Sequence, residues 1–431
     1  MLFTLEPLPA AEGDCLLLHW GTAAQPKLAV IDGGPGTIWE TSLLPRLEEI
    51  VDSRDLQQLA IDLVMVSHVD NDHIVGVKKL FRRLKTEIVQ ALPASHRLFA
   101  VRRLWHNTFN DVLDDAIDSY YQTLTAGLQA NVGGAPNPLL EASLARAYQD
   151  RHGTGAEEAA DVAHDVALIL AGHGEARELR DSHAFLRNAG QIAPLNSPFE
   201  KDGQPTLITT EGNSAPLVFA GLTIKVIGPQ EAEIKALQAE FDAFVQTRGL
   251  TVEAMLAAYS DTSVPNLSSI VCLVEKDGKR ILLTGDARGD KIRKGLEDAD
   301  LLVGGKLFVD VLKVPHHGSD RNLAKDFFDM VIADTYVLSG NGKHGNPERV
   351  TLEWLTGSRK PDHNYTIVLT YPVAEIDIGR KKDALQHHRS WVPAEHSLAS
   401  LVAELRLQGH QFTLVEGAPF KIELGDETAD W

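Results

Sequence analysis

The stretch Leu63-Val-Met-Val-Ser-His-Val-Asp-Asn-Asp-His-Ile-Val-Gly76 decides how the rest of this sequence is interpreted. Its first five residues are apolar or small and β-prone, which predicts a buried strand. Apolar residues then recur at helical spacing between Ile74 and Leu84, with Lys and Arg on the other face. In the turn between strand and helix lie four candidate metal ligands: His68, Asp70, Asp72 and His73.

A simpler explanation of this turn is that Asp70-Asn-Asp72 only caps the helix, because these side chains bond nearby backbone N–H groups. A single neighbouring His would leave that explanation ahead. Two histidines interleaved with two carboxylates, directly after an apolar strand, favour a metal site.

Length and composition bound the class of protein. The chain has 431 residues, 44% of them hydrophobic, which is ample for one large domain or two packed ones. No run approaches the roughly 18 apolar residues of a membrane-spanning helix, and Met1-Leu-Phe-Thr-Leu-Glu-Pro7 has no signal-peptide features. Cys15 and Cys272 lie in apolar strand patterns and are expected to be buried and unpaired. These features predict a cytoplasmic protein with no membrane partner.

The net charge is −19, from 41 Lys plus Arg against 60 Asp plus Glu. This argues against the broad basic surface of a protein that coats nucleic acid. A local basic track is still compatible with that charge, because metal ions neutralise phosphate inside a site. Arg102, Arg103 and the helix face from Lys78 to Lys85 are the candidates, although such a helix face is usually simply solvated.

Two β-rich parts of the chain carry comparable hairpins. Residues 1–32 predict a β meander that stops at the loop Asp32-Gly-Gly-Pro-Gly36. Later, two apolar runs between Ser269 and Asp286 flank the turn Asp277-Gly278, which is a strong hairpin signal. We therefore expect a pseudo-symmetric pair of sheets covered by helices.

The composition between these parts is different. From Asp111 to Gly190 there are 13 acidic residues and 5 Lys or Arg. We expect a helical insertion at 111–204 that acts as a lid or a homodimer contact, although an ordinary solvated helical subdomain explains it equally well. It separates a first half of the domain, 1–110, from a second half with a C-terminal extension, 205–431. Helical apolar spacing is found in Leu139–Tyr148, Ala159–Leu170 and Ala176–Leu186.

More candidate ligands follow later strands. Asp286 closes the second hairpin, His316-His317 follow the apolar strand Leu307–Pro315, and His344 lies in a loop after another strand. Together with the first cluster they form a mixed imidazole and carboxylate set, which suits two divalent ions such as Zn²⁺ or Mn²⁺. Two ions about 3.5–4 Å apart can share an Asp and hold a hydroxide between them.

Several motifs carry a family resemblance. His68-Val-Asp-Asn-Asp-His73 resembles the His-x-Asp-x-Asp-His variant of the metallo-β-lactamase-fold metal motif, and Lys313-Val-Pro-His-His-Gly-Ser319 resembles the matching late motif. The resemblance is to the hydrolase domains of bacterial competence DNA-uptake proteins and, more distantly, to phosphorylcholine esterases. It covers residues 1–106 and about 205–350, and implies an α/β fold, a four-layer αββα sandwich. Asp14, Ile31-Asp-Gly-Gly34 and Leu283-Thr-Gly-Asp286 match in order and spacing.

The resemblance also implies the metal ligands. The first metal would take His68, Asp70 and Asp286; the second would take Asp72, His73, Asp286 and one of His316 or His317, with His317 favoured. Asp72 would orient or deprotonate a bridging water, and His316 would face the substrate. Most of the superfamily has His in place of Asp70 and another His where this chain has Asn266-Leu-Ser-Ser269. This departure implies a weaker or exchangeable first metal, better suited to Mn²⁺.

The remaining candidates have weaker support. The family often has a His-Pro pair where this chain has His344-Gly-Asn-Pro347, so His344 is a candidate general acid or phosphate contact. His106, at the end of a strand pattern, is a candidate substrate-binding residue, as are Lys313 and Ser319; a strand-edge position explains Lys313 equally well. Two carboxylates could support ligands or merely form strand-end turns: Asp14 and Asp32. The other histidines, including His387-His388, are expected to be surface residues or satisfied polar residues.

The sequence thus predicts a binuclear metal-dependent hydrolase, phosphodiesterase- or nuclease-like, in which a metal-bridging hydroxide attacks phosphorus. Its substrate would be nucleic acid or a phosphodiester small molecule. The alternative is a small-molecule ester, lactone, thioester or phosphocholine-type hydrolase, which the acidic insertion favours because a negative lid repels a polyanion. A non-catalytic metal-binding scaffold is disfavoured by the near-complete ligand set.

Overall fold

In the computed structural model the described residues are 1–107, 155–201, 204–211, 215–232 and 268–431, together with Ile234 and short pieces between 131 and 153. Asn266 and much of the predicted helix Leu139–Tyr148 lie outside them.

The chain alternates strands and helices. The strands are β1 (Leu2–Pro7), β2 (Leu16–Thr22), β3 (Gln25–Ile31), β4 (Leu59–Ile61), β5 (Leu63–Val66), β6 (Phe99–Val101), β7 (Leu104–His106), β8 (Asn131–Val132), β9 (Ala135–Pro136), β10 (Glu200–Lys201), β11 (Gln204–Pro205), β12 (Leu217–Phe219), β13 (Leu222–Gly228), β14 (Val271–Lys276), β15 (Lys279–Leu283), β16 (Leu307–Lys313), β17 (Val331–Leu338), β18 (Tyr365–Leu369), β19 (Phe412–Glu416) and β20 (Ile422–Glu423). The helices are α1 (Leu44–Ser53), α2 (Asn71–Val89), α3 (Ala156–Asn188), α4 (Gly289–Asp298), α5 (Lys325–Met330), α6 (Arg349–Gly357), α7 (Val373–Gln386), α8 (Pro393–His396) and α9 (Leu398–Leu407). Short turns of 3₁₀ helix lie at Ala94–His96, Pro315–Gly318 and Lys343–Gly345.

Two large mixed sheets organise the fold. The first has the order β20-β1-β2-β3-β5-β7, and the second runs from β12 to β19 in sequence order. In the first sheet β1, β2 and β3 are antiparallel, whereas β3, β5 and β7 run parallel. In the second, β12 to β15 form an antiparallel meander and β15 to β19 run parallel. The chain therefore has a mixed α/β fold.

Three hydrophobic clusters form the core. One cluster fills the space between the sheets, where Trp20 and Met65 of the first sheet lie with Val226 and Val311 of the second. The other two clusters bury the outer face of each sheet under helices, α1 to α3 on the first and α4 to α7 with α9 on the second. Successive side chains of a strand point to opposite faces of its sheet. In β5, Val64 packs toward the helices and Met65 packs toward the other sheet.

The strand directions bring the candidate site together. The parallel strands β3, β5 and β7 end at Asp32, at the turn after Ser67 and at His106. The strands β15, β16 and β17 of the other sheet end beside Asp286, His317 and Ser339. The backbone N–H of Ile270 donates to the carbonyl of Ser67 across the sheets (2.8 Å). The loops that follow the carboxyl ends of these strands, from both sheets, therefore meet at one place.

Most predicted elements are confirmed. The opening stretch forms β5 and α2, the second hairpin forms β14 and β15, and Cys15 and Cys272 are buried and free. The predicted helical segments Ala159–Leu170 and Ala176–Leu186 are both helical and belong to a single helix, α3. The helix continues through the glycines between these segments, because a helix tolerates Gly at a cost of about 1 kcal/mol. Leu179 and Leu186 of this helix pack in the cluster under the first sheet.

Residues beyond the region of family resemblance complete both sheets. Strands β18 and β19 extend the parallel part of the second sheet, and β20 pairs with β1 at the edge of the first. The C-terminal extension predicted from the sequence is therefore part of the layered core. None of the helices in the described ranges is long and apolar enough to cross a bilayer.

Two glycines allow α2 to approach the loop that follows β3. A Cβ on Gly76 would lie 2.0 Å from the carbonyl oxygen of Gly33, and a Cβ on Gly33 would lie 2.4 Å from the N of Val77. The N–H of Gly33 donates to the carbonyl of His73 at 2.7 Å. The start of α2 and its candidate ligands are thus held against this loop by direct backbone contact.

We predict that Gly76→Ala lowers the free energy of unfolding by about 1–3 kcal/mol, because the added methyl cannot fit without separating two backbone segments. Urea denaturation measures the change. Gly357→Ala is the matched control, since a Cβ there meets no atom within 4 Å, and it should leave stability unchanged or raise it. Equal effects of the two substitutions would contradict the proposed close contact.

Candidate metal centre

Asp32 fixes the first imidazole of the centre. It follows β3 with a left-handed backbone (φ 57°), and its carboxylate accepts hydrogen bonds from the backbone N–H and the hydroxyl of Ser67, both at 2.7 Å. Its Oδ2 lies 2.9 Å from Nδ1 of His73. Because a carboxylate only accepts, Nδ1 of His73 carries a proton and Nε2 faces the centre.

His317 is held in the same way by groups from the other side of the centre. Its Nδ1 lies 2.9 Å from the hydroxyl oxygen of Ser339 and 3.4 Å from Oδ1 of Asp14. The Ser339 hydroxyl donates to Asp14, so its oxygen is left to accept from His317 Nδ1–H. Nε2 of His317 therefore also points its lone pair at the centre.

Lys313 completes this support. Its ammonium lies 2.8 Å from Oδ2 of Asp14 and donates to the carbonyl of Val314 at 3.0 Å. Burial alone would raise the pKa of the Asp14 carboxyl, but Lys313 and His317 hold it below its usual value. With 1% of its side chain exposed, Lys313 lies behind His317 and neutralises Asp14.

The Nε2 atoms of His73 and His317 lie close together between two carboxylates. Nε2 of His73 and Nε2 of His317 are 3.2 Å apart. Asp286 places Oδ1 3.3 Å from the first and Oδ2 3.4 Å from the second. Oδ2 of Asp72 lies 3.3 Å from His317 Nε2 and 3.7 Å from His73 Nε2. Two lone pairs that converge at this distance need a shared electrophile, which is the arrangement of metal ligands.

His68 and Asp70 extend the centre on one side. Nε2 of His68 lies 3.4 Å from Oδ2 of Asp70 and 3.8 Å from Oδ2 of Asp286. Among the described residues, Nε2 of His68 and Oδ1 of Asp70 are buried without a hydrogen-bond partner. Unpaired buried polar atoms are costly in a folded protein, so these two favour a bound ion.

Two overlapping groups of ligand atoms result. The atoms offered by Asp14, His73, Asp286 and His317 all lie within 4.8 Å of one another, as do those of His68, Asp72 and His73. Asp14 contacts Nδ1 of His317, the far side of the ring from Nε2, and is paired with Lys313; it orients the ring. The residues present fit divalent ions that take both imidazole and carboxylate ligands.

The pKa shifts in the protein show that the carboxylates of this centre favour positive charge on the imidazoles between them. Burial disfavours the imidazolium of His73, but Asp286, Asp72 and Asp32 outweigh it and hold its pKa well above the usual value. Asp286 and Asp14 do the same for His317. Conversely, burial would raise the pKa of the Asp286 carboxyl, yet His317, His73 and His316 hold it well below its usual range. Divalent ions supply the same compensation.

The turn that carries His317 is strained. His316 and His317 both have left-handed backbones (φ 48° and 53°), and Gly318 continues the series at φ 81°. Two consecutive non-glycine residues in this region cost about 1–3 kcal/mol each. The N–H of His316 donates to the carbonyl of Gly285 (3.1 Å), which ties the strained turn to the Asp286 loop. The side chain of His316 is 24% exposed and that of His317 only 2%.

The other predicted site residues lie in different surroundings. His344 lies in the exposed turn Lys343–Gly345 with a left-handed backbone (φ 57°). Ser319 is buried, and its hydroxyl accepts a long hydrogen bond from the N–H of Arg321 (3.4 Å). Roles for His344 and Ser319 in binding substrate stay predictions.

His106 is buried at the end of β7. Its backbone N–H donates to the side-chain oxygen of Asn196 (2.7 Å), whose amide donates back to the His106 carbonyl (3.1 Å). Within the described part of the chain, neither ring nitrogen of His106 has a hydrogen-bond partner. Burial, with smaller contributions from Arg180 and His183, lowers its pKa to about 3.

Three supporting residues were not identified from the sequence: Ser67, Ser339 and Asn322. Ser67 and Ser339 each directly follow a strand, β5 and β17, so the strand-end rule that found the aspartates could have found them. Asn322, whose amide contacts His316 Nδ1 (2.6 Å), lies in an irregular segment and carried no such signal.

Four basic residues of α2 are paired with acidic ones. Lys78 pairs with Glu175 of α3, and Nε of Arg82 lies 2.7 Å from an oxygen of Glu178. Arg83 and Lys79 have similar partners, Glu87 (3.0 Å) and Glu40 (2.8 Å). The local basic track expected on this helix face is therefore largely neutralised by neighbouring carboxylates.

Arg102 and Arg103, the other basic candidates, are also in contact with neighbours. Arg102 lies 3.4 Å from a carboxylate oxygen of Asp62, and the guanidinium of Arg103 stacks over the ring of Phe219 at 5.0 Å from its centroid.

Comparison with known proteins finds limited similarity. No protein-family model matches the chain. It is 28% identical over 133 residues to ComE operon protein 3 of Bacillus subtilis (strain 168), a match of 30% of this chain and 16% of that protein. It is 29% identical over 116 residues to microtubule-associated protein 1A of Rattus norvegicus, a match of 26% of this chain and 4% of that protein. The matches thus span a small part of each relative.

The depressed pKa of His106 predicts an acid-sensitive fold. Its pKa of about 3 lies below the unfolded value of 6.5, so the unfolded chain binds more protons between those pH values, and stability is lost as the pH falls below 6.5. We predict that metal-free His106→Gln loses about 2 kcal/mol less stability than wild type between pH 7 and pH 5. Urea denaturation at the two pH values measures the difference. Parallel losses in both proteins would show that His106 is protonated in the folded state.

Proposed function

We propose that this protein is a binuclear metal-dependent hydrolase of phosphodiesters with a metallo-β-lactamase fold. The observation that carries the proposal is the position of Asp286. One of its oxygens faces His73 (3.3 Å), and the other faces His317 (3.4 Å) and His68 (3.8 Å). A carboxylate between two sets of ligands is suited to bridge two ions.

The fold assignment rests on three supports that agree. The layers run helix, sheet, sheet, helix, and the candidate ligands lie in loops where the two sheets meet. The motifs at residues 68–73 and 313–319 have the order and spacing of the competence-type branch. The similarity to ComE operon protein 3 is in keeping with that resemblance.

We assign one ion to His68, Asp70 and Asp286, and a second to Asp72, His73, Asp286 and His317. Divalent ions at such a site activate water and stabilise the charge that develops on phosphoryl oxygens. The carboxylates of this set favour Mn²⁺ or Zn²⁺, the former because Asp70 replaces a softer imidazole. Asp14 and Asp32 keep the two imidazoles oriented whether or not the substrate is present.

The chain itself positions the reacting groups. Asp72 is 27% exposed, and His73 and His317 overcome the effect of burial to hold its pKa below the usual value. It is thus an ionised acceptor at the mouth of the centre, able to orient a water molecule by accepting its hydrogen bond. The imidazole of His316 is 24% exposed, and its Nε2 lies 3.6 Å from Oδ2 of Asp286. Buried strands behind these groups exclude bulk water.

A small substrate is the second candidate, and the ion pairs of α2 favour it over a long polyanion. Lys78 and Arg82 are already paired with Glu175 and Glu178, and the whole chain carries a charge of −19. A nuclease gains affinity from basic residues that contact several phosphates. A phosphocholine-type ester, a lactone or a thioester needs no such track. Contact between two copies through residues 111–204, and a cytoplasmic location, remain predictions.

The proposal is tested by activity against defined substrates. Protein loaded with Mn²⁺ or Zn²⁺ should hydrolyse bis-nitrophenyl phosphate, and Asp286→Asn should lower the rate at least ~100-fold, because it weakens the group shared by both ions. Asp62→Asn is the matched control, since Asp62 is a buried carboxylate outside the centre; it should retain activity.

The same assay separates the candidates. Cleavage of single- or double-stranded DNA or RNA that falls steeply with added salt would support the nuclease; turnover restricted to small phosphodiesters would support the small-substrate form. Activity only against carboxylic esters or lactones contradicts the phosphodiester proposal. Metal binding without any turnover would leave a non-catalytic scaffold.

A further inference from the structure

His316 differs from the other histidines of the centre in what its two ring nitrogens face. Its Nδ1 lies 2.6 Å from Nδ2 of Asn322, and its Nε2 lies 3.6 Å from Oδ2 of Asp286. The first distance is a hydrogen bond and the second is too long for one. The hydrogen-bonding capacity of Nε2 is therefore not used by Asp286.

The Asn322 amide turns its nitrogen toward His316, and a second contact agrees with that orientation. The atom beside His316 also lies 3.5 Å from the backbone carbonyl oxygen of Asp286. In the structure the amide nitrogen rather than the amide oxygen faces this carbonyl, which suits an oxygen that can only accept. The same nitrogen then donates to Nδ1 of His316. Nδ1 is the acceptor, and the ring proton of the neutral imidazole must be on Nε2.

This tautomer is the opposite of the one imposed on the two buried ligands. Nδ1 of His73 faces the carboxylate of Asp32, and Nδ1 of His317 faces Ser339, whose hydroxyl donates to Asp14. Both of those rings carry the proton on Nδ1 and present a lone pair at Nε2. Adjacent residues in one turn, His316 and His317, are thus prepared for different tasks: one donates where the other ligates.

The support for Asn322 is itself rigid. The carbonyl of Asn322 accepts a hydrogen bond from the N–H of Gly289 at 2.8 Å, and the N–H of His316 donates to Gly285 at 3.1 Å. Backbone hydrogen bonds therefore tie both Asn322 and His316 to the loop that contains Asp286. The His316 side chain is still 24% exposed, so its Nε2–H can reach a molecule bound in the centre.

We propose that Asn322 is a positioning residue that locks His316 in the Nε2–H tautomer, so that His316 donates a hydrogen bond to a non-bridging oxygen of the bound phosphodiester. The inference rests on the proposed function for the identity of the acceptor. It also explains which histidine of the pair ligates: His317 presents the lone pair, and His316 presents the proton. A donor placed where charge develops on oxygen stabilises the transition state more than the ground state.

Nitrogen NMR tests the tautomer without reference to activity. Full-length protein labelled with ¹⁵N-histidine and loaded with Zn²⁺, at mildly alkaline pH, should give a protonated Nε2 and an unprotonated Nδ1 for His316, assigned by loss of the signals in His316→Gln. Any other pattern at His316 in the wild-type protein overturns the proposal. In Asn322→Asp the carboxylate accepts from Nδ1, so the proton should move from Nε2 to Nδ1.

Kinetics then test the role of the donor. With bis-nitrophenyl phosphate, Asn322→Asp should lower kcat about 100-fold with little change in KM, the size lost when one donor to a developing oxyanion is removed. The number of Zn²⁺ ions bound should be unchanged. Gln386→Glu, which adds the same charge on the exposed surface of α7, is the control and should match wild type. An unchanged kcat in an Asn322→Asp protein whose His316 tautomer has reversed overturns the donor role.

The two proposals fail in distinguishable ways. If the wild-type protein hydrolyses no phosphodiester, the proposed function fails, and the tautomer of His316 is still decided by the NMR spectrum. If hydrolysis is found but His316 carries its proton on Nδ1, only the role of Asn322 fails.

Discussion

Burial of several carboxylates at one point is the constraint on which the rest of this structure depends. Asp14, Asp32 and Asp286 are almost completely buried where the two sheets meet. Each buried negative charge requires a compensating positive charge or several hydrogen bonds. Lys313 compensates Asp14, and the hydrogen bonds of Ser67 and His73 satisfy Asp32. The groups that hold the pKa of Asp286 down are the imidazoles of His317, His73 and His316, and divalent ions would supply further positive charge.

The fold provides the conditions for this arrangement. Parallel strands of both sheets end at the same edge, so short loops can deliver ligands from distant parts of the chain. The loops store strain to do so, since Asp32, His316 and His317 all have left-handed backbones. That strain is tolerated because the residues are fixed by hydrogen bonds on several sides. The hydrogen-bond partners of Nδ1 also give His316 and His317 different roles, although the two residues are adjacent.

Much of the site was predictable from residues 63–76, because a strand, a ligand-rich turn and an amphipathic helix each leave a local pattern. Asp286 and His316-His317 were predictable as polar residues directly after strands. The contacts of Asn322 and Ser339 were not, since both depend on how separate loops pack. The helical spacing of two separate segments did not predict that they form one helix, α3, because such a pattern describes each segment alone. Ion pairs between α2 and α3 likewise neutralise part of the basic helix face that the sequence offered as a candidate track.

The most direct test of the central claim is anomalous X-ray diffraction from crystals of the full chain grown with Mn²⁺ or Zn²⁺, collected at the absorption edge of the metal. We expect two anomalous peaks, with Asp286 contacting both, His68 and Asp70 contacting one, and His73 and His317 contacting the other. The pattern would be the same with either metal. Absence of anomalous density between these residues, or a single peak that Asp286 does not contact, would contradict the account.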